Sequence, residues 1–188
     1  MKAKYWRRTL QSVLEEPAIG IPDQLGQVFR EHYGLVFRTA YRITGNAGDA
    51  EDVLQTIFLR VLRRDPKNSD PLQDPESYLR RAAINAALDV IRSRQAEQTV
   101  PLPDDDLGLP RSSTAQADVY GLRQALTRAL AQLKPRPAEI FALRFLEGLS
   151  NRQIAEALGI SQVLVAVIVH RTRQQLRKEL RPYLGDRS

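Results

Sequence analysis

Apolar residues recur at spacings of three and four along much of the chain, which is the period of an amphipathic helix. The pattern predicts one helix over residues 25–44 and a second that starts after Gly45 and ends before Pro66. Asn46 is placed to cap the second helix, with Asp49 as the reciprocal partner of that cap. We therefore expect two helices joined by a tight turn in this part of the chain.

A third helix is predicted from Asp74, which occupies the N-cap, with Pro75 in the first helical position. Its apolar positions continue to about residue 91. The stretch Val163–Val169 is rich in β-branched residues, which favour strands, but it lies inside a helical pattern. We find no convincing strand and predict an all-α fold.

The strongest local pattern lies near the carboxyl end and is typical of a helix-turn-helix. Ala155 provides the small residue at the helix crossing, and Gly159 tolerates a positive φ in the turn. Ser150 and Ser161 are suited to cap the two helices. The residues that would pin the second helix are Ile154, Leu158, Ile160, Val165 and Ile168. The alternative is a plain helical hairpin in the core of a bundle.

One face of the second helix points away from the apolar residues and is the candidate recognition surface. Its members are Ser161, Gln162, Val163, Ala166, Val167, His170, Arg171 and Arg173. Base edges are usually bound by polar side chains, so an apolar face allows two interpretations: contact with thymine methyl groups, or a protein-binding patch. The arginines that follow favour phosphate contact. His170 is better suited to a phosphate or surface contact than to a metal, since the only other histidine, His32, lies in the other half.

Charge divides the 188 residues into two basic blocks and an acidic stretch. Residues 1–94 carry 15 basic and 12 acidic side chains, residues 95–120 carry 1 and 5, and residues 121–188 carry 12 and 5. The middle stretch also contains three prolines and the run Asp104–Asp106, which disfavour regular structure. We expect two small helical domains joined by an extended acidic linker, with a polyanionic partner.

Composition argues against several classes of protein. The chain has no cysteine, which excludes disulfides and thiolate metal sites. No phosphate-binding glycine loop, nucleophile motif or metal-ligand cluster is visible. We therefore predict no catalytic residues, no metal, no cofactor and no enzymatic activity. No apolar run reaches the length of a membrane span, so we expect no membrane insertion. The lack of cysteine and of an apolar N-terminal segment favours a reducing cytoplasm, and we expect a cytoplasmic protein.

Both blocks resemble one family, the extracytoplasmic-function (group IV) sigma factors of bacterial RNA polymerase. Segments 49–58 and 76–89 resemble the DAEDLVQ-type and SWLxRIAxNxAxD-type motifs of sigma region 2, and segments 133–136 and 141–150 precede the helix-turn-helix as in region 4. The resemblance implies a region 2 helical bundle over 23–94, a linker over 95–120 and region 4 over 121–188. Residues 1–22 match no motif of the family, and we expect them to form a basic N-terminal arm.

The resemblance assigns polymerase docking to the predicted second helix, which would contact the clamp helices of the largest subunit. The implied contact residues are Glu51, Asp52, Gln55 and Arg60. Glu51 and Asp52 also suit the positive end of their helix, and the two roles can coexist. Thr56 departs from the family, which often has an acidic residue there.

The resemblance assigns recognition of the −10 element to the predicted third helix. Asn85 would hold a base flipped out of the non-template strand, with arginines on the phosphates. The implied residues are Tyr78, Arg80, Arg81, Asn85, Arg92 and Arg94. Tyr78 stands where the family commonly has Trp, and either base stacking or a core position fits it.

Region 4 would bind the −35 element through residues 161–173 and contact the polymerase flap. Its apolar face departs from typical members and also suits an anti-sigma factor. The predicted function is an alternative sigma factor that binds core RNA polymerase and promoter DNA and directs initiation. The alternative is a helix-turn-helix regulator whose N-terminal helical domain senses a signal or dimerises.

Overall fold

A computed structural model describes residues 23–63, 74–98 and 114–184. Within these ranges the chain forms seven α-helices, one π-helical turn and no strand, which confirms the all-α prediction. The elements are α1 (Asp23–Thr44), α2 (Ala47–Leu62), α3 (Pro75–Gln98), α4 (Thr114–Gln132), α5 (Pro135–Phe141), the π turn (Ala142–Leu146), α6 (Asn151–Leu158) and α7 (Gln162–Leu184).

The cap of α2 is formed by Asn46, as predicted. Its Oδ1 accepts hydrogen bonds from the backbone N–H groups of Gly48 (2.8 Å) and Asp49 (3.2 Å). The reciprocal role expected of Asp49 is wrong. Its carboxylate forms an ion pair with Arg94 at 2.7 Å, and the Asn46 N–H donates to Thr44 Oγ1 at 3.4 Å. A reciprocal cap normally uses Glu or Gln, which are one methylene longer than Asp.

Helix α3 begins as predicted and ends later. Asp74 Oδ1 accepts from the Ser77 N–H at 3.0 Å, and Pro75 is the first helical residue. The helix continues to Gln98, and α4 begins at Thr114, so the two ends of the expected extended linker are helical. Neither end contains Gly or Pro, and short polar and alanine residues there are compatible with a helix. Residues 99–113, including the Asp run, and the arm at 1–22 lie outside the described residues.

The first unit packs α1, α2 and α3 pairwise against one another. Its core is closed by apolar side chains that are almost completely buried: Val36, Ala40, Ile43, Val53, Ile57, Ala83, Ile84 and Leu88. Each such Ile or Leu side chain contributes about 1.5–3 kcal/mol through removal from water. The unit is therefore a three-helix bundle, and its buried residues belong to a cluster that continues into the second unit.

The second unit packs α4, α5 and α6 against the long helix α7. Its buried side chains are Leu130, Ile140, Leu143, Ile154, Val165 and Leu176. The π turn continues α5 directly, and the Glu147 N–H donates to the carbonyl of Ala142, five residues back, at 3.0 Å. Gly148 follows with φ +75°. This turn presents Leu146 and Glu147 to the first unit.

The two units pack directly on one another, and α3 is the shared element. Helix α3 contacts α1 and α2 in the first unit and α4 and α5 in the second, while the π turn contacts α1 and α3. Their buried apolar residues form one continuous cluster. A long face of α3 is therefore covered by the second unit.

In the described ranges, no single helix is long and apolar enough to cross a membrane. Helices α6 and α7 meet that test only as a pair, across a bend of 112°.

Candidate nucleic-acid interface

The predicted helix-turn-helix is formed by α6 and α7. Ser150 Oγ accepts from the Gln153 N–H at 3.2 Å, and Gln153 Oε1 accepts from the Ser150 N–H at 2.9 Å, so α6 has a reciprocal cap. Gly159 ends α6 with φ +63°, in the left-handed region that favours glycine. Ser161 Oγ accepts from the Leu164 N–H at 3.2 Å and caps α7. Each of these local predictions is confirmed.

The apolar residues of the motif fix α7 against α6. Ile154 and Val165 are completely buried, and Ala155 is also buried at the helix crossing. The three remaining members of the predicted set are partly buried and pack on the same core: Leu158, Ile160 and Ile168. One face of α7 is thereby held inside, which leaves the opposite face open to solvent.

All eight residues predicted for the recognition face are exposed: Ser161, Gln162, Val163, Ala166, Val167, His170, Arg171 and Arg173. Val163 is 74% exposed, and Leu164 and Val167 are also solvent-accessible. These three side chains form an apolar stripe over the first turns of α7. The His170 ring lies 3.0 Å from the Gln174 amide, one turn further along.

A basic surface continues from this stripe along α7. Thr172, Leu176 and Leu180 face the core, and exposed cations alternate with them: Arg171, Arg173, Arg177, Lys178 and Arg181. In the described part of the chain none of these cations has a carboxylate within 4 Å. They are therefore available for phosphate groups.

The residues predicted to dock on polymerase lie on the outer surface of α2. Asp52, Gln55 and Arg60 are exposed and Glu51 is partly exposed. Leu59 is 49% exposed on the same helix, one turn after Gln55 and two turns after Asp52. Sequence reasoning missed Leu59, although its spacing from Asp52 and Gln55 places it on their face. The surface thus combines a carboxylate, an amide and an apolar side chain.

Two residues predicted for −10 recognition contact Glu139 of α5. Arg81 Nε donates to Glu139 Oε1 at 3.0 Å, and Asn85 Nδ2 donates to the same oxygen at 3.4 Å. Arg81 Nη1 also donates to the carbonyl of Ala157, in the last turn of α6, at 2.9 Å. Arg136 completes the cluster, with Nη1 3.1 Å from Glu139 Oε2. Glu139 was not anticipated from the sequence.

Glu147 forms a second cluster on the same side of α3. Arg42 Nη1 donates to Glu147 Oε1 at 3.0 Å and to the Leu146 carbonyl at 3.1 Å, and Arg80 Nε lies 3.4 Å from Glu147 Oε2. Arg80 also pairs with Glu76 on its own helix. Arg42 and Glu147 were missed because they are 105 positions apart and no local pattern connects them.

The other residues predicted for the −10 element have different surroundings. Arg92 bonds Asp89 at 3.1 Å and the Leu133 carbonyl at 3.3 Å, and Arg94 pairs with Asp49 rather than with the second unit. Of the two positions left open for Tyr78, the structure disfavours the core, because the residue is 39% exposed. The structure therefore brings Arg80, Arg81, Asn85 and Arg92 to the side of α3 that contacts the second unit, where Asn85 stays exposed and the three arginines are partly buried, and leaves Arg94 apart.

The carboxyl of Asp49, in the first turn of α2, has a pKa that departs from its ordinary value. Burial raises the pKa of its carboxyl above the ordinary value of 3.8 because the charged form loses water. The Arg94 guanidinium lowers the pKa in part, and the Asp52 carboxylate raises it further. Asp49 Oδ2 is buried without a hydrogen-bond partner among the described residues, which is consistent with a costly charged form.

Known proteins resemble both units. The family model of Sigma-70 region 2 matches residues 28–97, and that of Sigma-70 region 4 matches residues 123–176. The chain is 36% identical over 157 residues to the ECF RNA polymerase sigma factor SigE of Mycolicibacterium smegmatis. That match covers 82% of this chain and 60% of SigE.

Shorter relatives match over most of their length. The chain is 31% identical over 154 residues to the ECF RNA polymerase sigma factor SigL of Mycobacterium tuberculosis, covering 81% of this chain and 86% of SigL. It is also 31% identical over 161 residues to the RNA polymerase sigma factor CarQ of Myxococcus xanthus, covering 86% and 91%. An ordinary helix-turn-helix regulator is not favoured. The chain belongs to the extracytoplasmic-function sigma factors, the alternative sigma factors that direct transcription initiation.

Proposed function

We propose that this chain binds core RNA polymerase and directs initiation at promoters whose −10 and −35 elements it selects. One observation carries the proposal: a helical unit that matches region 2 precedes a helix-turn-helix that matches region 4 and whose recognition face is entirely exposed. The chain recognises the promoter and separates its strands, while the polymerase catalyses RNA synthesis. Its place of action is then the cytoplasm.

Docking on the polymerase clamp helices is assigned to α2. The exposed set Asp52, Gln55 and Leu59 offers charge, hydrogen bonding and apolar area on one helical face. Such mixed surfaces suit a helix-to-helix contact, in which apolar burial supplies affinity and the polar groups set the register. Glu51 and Arg60 border this face, and region 4 contacts the flap.

Recognition of the −10 element is assigned to α3. The amide of Asn85 offers both donors and an acceptor to the edge of a flipped base, and Arg80, Arg81 and Arg92 are placed on the same face for the strand phosphates. Removing a base from the stack costs a few kcal/mol, which hydrogen bonds in a pocket offset. Tyr78, exposed near the start of α3, offers a ring for stacking, and Arg94 lies near its end.

Recognition of the −35 element is assigned to α7. Ser161 and Gln162 at its N-terminus offer hydrogen bonds to base edges, and the stripe formed by Val163, Leu164 and Val167 suits thymine methyl groups. Arg171 and Arg173 continue the surface toward the phosphate backbone. The same stripe, with Val163 74% exposed, would also suit an apolar surface of an anti-sigma factor.

Reconstitution with core polymerase tests the proposal. Purified chain added to core polymerase should produce transcripts from a discrete set of genomic promoters, and sequencing their 5′ ends should reveal common −10 and −35 elements. Core polymerase alone and chain alone serve as controls. Failure of the chain to co-purify with core polymerase at low salt would reject the proposal. Tight, specific duplex binding by the free chain without polymerase would support the regulator alternative instead.

A further inference from the structure

A cleft of about 340 Å³ lies where the middle of α4 faces the last turns of α3 and the turn between α1 and α2. Sites for small molecules usually have volumes of about 300–1,000 Å³ and are common where two domains meet. The cleft is lined by no residue of α7 and by one residue assigned to the −10 element, Arg94. It is therefore largely separate from the surfaces assigned to polymerase and DNA.

The charges that line the cleft are all positive among the described residues. Arg94 contributes one guanidinium, which already pairs with Asp49 at 2.7 Å. Arg123 and Arg128 contribute two more, and neither has a carboxylate within 4 Å in the parts of the chain that the structure describes. Two guanidinium groups without acidic partners thus line one cleft, which favours an anionic ligand.

Contacts with the protein hold both of these arginines at the wall of the cleft. Arg123 Nη2 donates to the Tyr41 carbonyl at 3.3 Å, and its guanidinium carbon lies 5.0 Å from the centroid of the Tyr41 ring. Its Nε lies only 3.0 Å from the place that a Cβ at Gly45 would occupy, so the glycine leaves room for it. Arg128 Nη2 donates to the Tyr183 hydroxyl at 3.3 Å. A guanidinium has five N–H donors, so each arginine keeps donors for a ligand.

Helix α4 presents polar and aromatic groups between the two arginines. At the helical period, Tyr120, Gln124 and Thr127 lie on the face that Arg123 and Arg128 border, and all five residues line the cleft. The amide of Gln124 offers donors and an acceptor. Tyr120 is 59% exposed, and an exposed aromatic ring is a surface on which a base can stack. The cleft thus combines phosphate-binding groups, an amide and an aromatic ring.

We propose that this cleft binds a nucleotide that carries at least two phosphate groups. Arg123 and Arg128 hold the phosphates, and the Tyr120 ring packs on the base. Charge sets the class of ligand, because a guanidinium binds phosphate oxygens through its fork of N–H donors. Volume sets its size, because the cleft suits a single nucleotide rather than a duplex. The site goes beyond the proposed function, which involves only macromolecules, and does not depend on it.

The ligand should also stabilise the packing of the two units, because both contribute to the cleft. Thr44 and Asn46 belong to the first unit, and Arg123 and Arg128 belong to the second. A ligand that binds only this arrangement stabilises it by mass action. The melting temperature of the chain should therefore rise with the concentration of the nucleotide.

Titration calorimetry of the full chain at low salt tests the site directly. The probes are ADP, inorganic pyrophosphate and adenosine. ADP should bind at one site per chain, and adenosine, which has no phosphate, should bind at least about tenfold more weakly. ADP should bind about fivefold or more tightly than pyrophosphate because its base stacks on Tyr120. Tyr120→Ala should remove this difference and leave pyrophosphate binding unchanged.

A nearly isosteric change tests the charge of the cleft without removing a contact between the units. Gln124→Glu places a carboxylate between the two arginines and should weaken ADP binding at least about tenfold through repulsion of the phosphates. Gln132→Glu makes the same change on α4 outside the lining of the cleft and is the matched control. It should have little effect on ADP binding.

Removal of the two arginines tests their role in holding phosphate. Arg123→Gln with Arg128→Gln should weaken both ADP and pyrophosphate at least about tenfold, and ADP should raise the melting temperature of this variant less than that of the unchanged chain. The matched control, Arg30→Gln with Arg38→Gln, removes two exposed charges from α1. It should bind both probes with little change.

Four results would overturn the proposal: no saturable binding of ADP, adenosine binding as tightly as ADP, equal affinities for ADP and pyrophosphate, or equal losses in Gln124→Glu and Gln132→Glu. Far-ultraviolet circular dichroism verifies that each variant stays helical. None of these measurements uses polymerase. Failure of the chain to bind core polymerase would reject the proposed function and leave the nucleotide site unaffected.

Discussion

Arg81 of α3 donates its Nε to Glu139 Oε1 of α5 across 3.0 Å, although 58 positions separate the two residues in the chain. The pair joins a residue of the region 2 motif to a buried carboxylate of the region 4 unit. Asn85 reaches the same oxygen from one turn further along α3. The face assigned to the −10 element is thus also an interface between the two units.

Asn85→Ala should impair open-complex formation more than polymerase binding, because the proposal assigns its amide to the flipped base and assigns polymerase docking to a different helix, α2. Base capture offsets a few kcal/mol of unstacking, so loss of the amide should reduce the rate of open-complex formation at least about tenfold. Permanganate footprinting measures strand opening, and fluorescence anisotropy measures polymerase affinity. Ser93→Ala, a polar truncation on the same helix, is the control. Equal loss in both assays would contradict the assignment.

Asp52→Arg combined with Gln55→Ala should abolish stable polymerase binding and leave the helices intact. Both side chains are exposed on α2, and reversal of a charge within a docking face introduces repulsion as well as a lost contact. We expect at least about a tenfold loss of affinity by titration with core polymerase, about 1.4 kcal/mol. Glu31→Arg, an exposed charge reversal on α1, is the control. Unchanged affinity would reject the docking face.

Replacement of thymine by uracil in the −35 element distinguishes the two roles of the apolar stripe. A methyl group buried against Val163 or Val167 is worth about 0.8 kcal/mol, or roughly fourfold in affinity. The holoenzyme should lose this factor on uracil-substituted promoters. A variant carrying Val163→Ala and Val167→Ala should bind the two promoters with a smaller difference. If uracil has no effect on the unchanged chain, contact between the stripe and thymine methyl groups is contradicted.

Gly159→Ala should destabilise the helix-turn-helix. A Cβ at this position meets nothing within 4 Å, so the cost comes from the backbone, which has φ +63°. The left-handed conformation costs a non-glycine residue about 1–2 kcal/mol. Urea unfolding followed by circular dichroism measures the loss. Gly34→Ala lies within α1, and the new Cβ meets only the guanidinium of Arg38, so this control should be neutral or stabilising by up to about 1 kcal/mol.

Asp49→Asn should change how stability depends on pH. The folded-state pKa of Asp49 is raised above 3.8, so the folded chain binds this proton more tightly than the unfolded chain does. The stabilisation is therefore complete below pH 3.8 and is lost as pH rises through the folded-state pKa. The variant cannot ionise there. Its free energy of unfolding, minus that of the unchanged chain, should increase with pH across this window. Parallel pH profiles in urea titrations would contradict the shift.

Local features were predictable from the sequence because they depend on neighbours only. The caps at Asn46, Asp74, Ser150 and Ser161 satisfy backbone N–H groups two or three residues away, and Gly159 meets a local requirement for positive φ. The spacing of the apolar residues likewise predicted which face of α7 is exposed. None of these local features depends on how distant helices meet.

Contacts between the units were not predictable because their partners share no local pattern. Arg42 lies in an amphipathic helix where an arginine normally faces solvent, and Glu147 follows an apolar motif in a different unit. Only the tertiary arrangement places the two side chains 3.0 Å apart. Asp49 shows the same limit at shorter range, since a plausible capping residue is instead drawn to Arg94 on α3.

The contact between the two units depends on the number of residues in the π turn. Its i+5 hydrogen bond from Glu147 to Ala142 accommodates one residue more than an α-helical turn. Deletion of one residue within 142–146 would restore the ordinary helical period and rotate everything after it by about 100°. Glu147 would then point away from Arg42 even though both residues were retained. Among related chains, a length difference at this turn would therefore separate those that can form the contact between Glu147 and Arg42 from those that cannot.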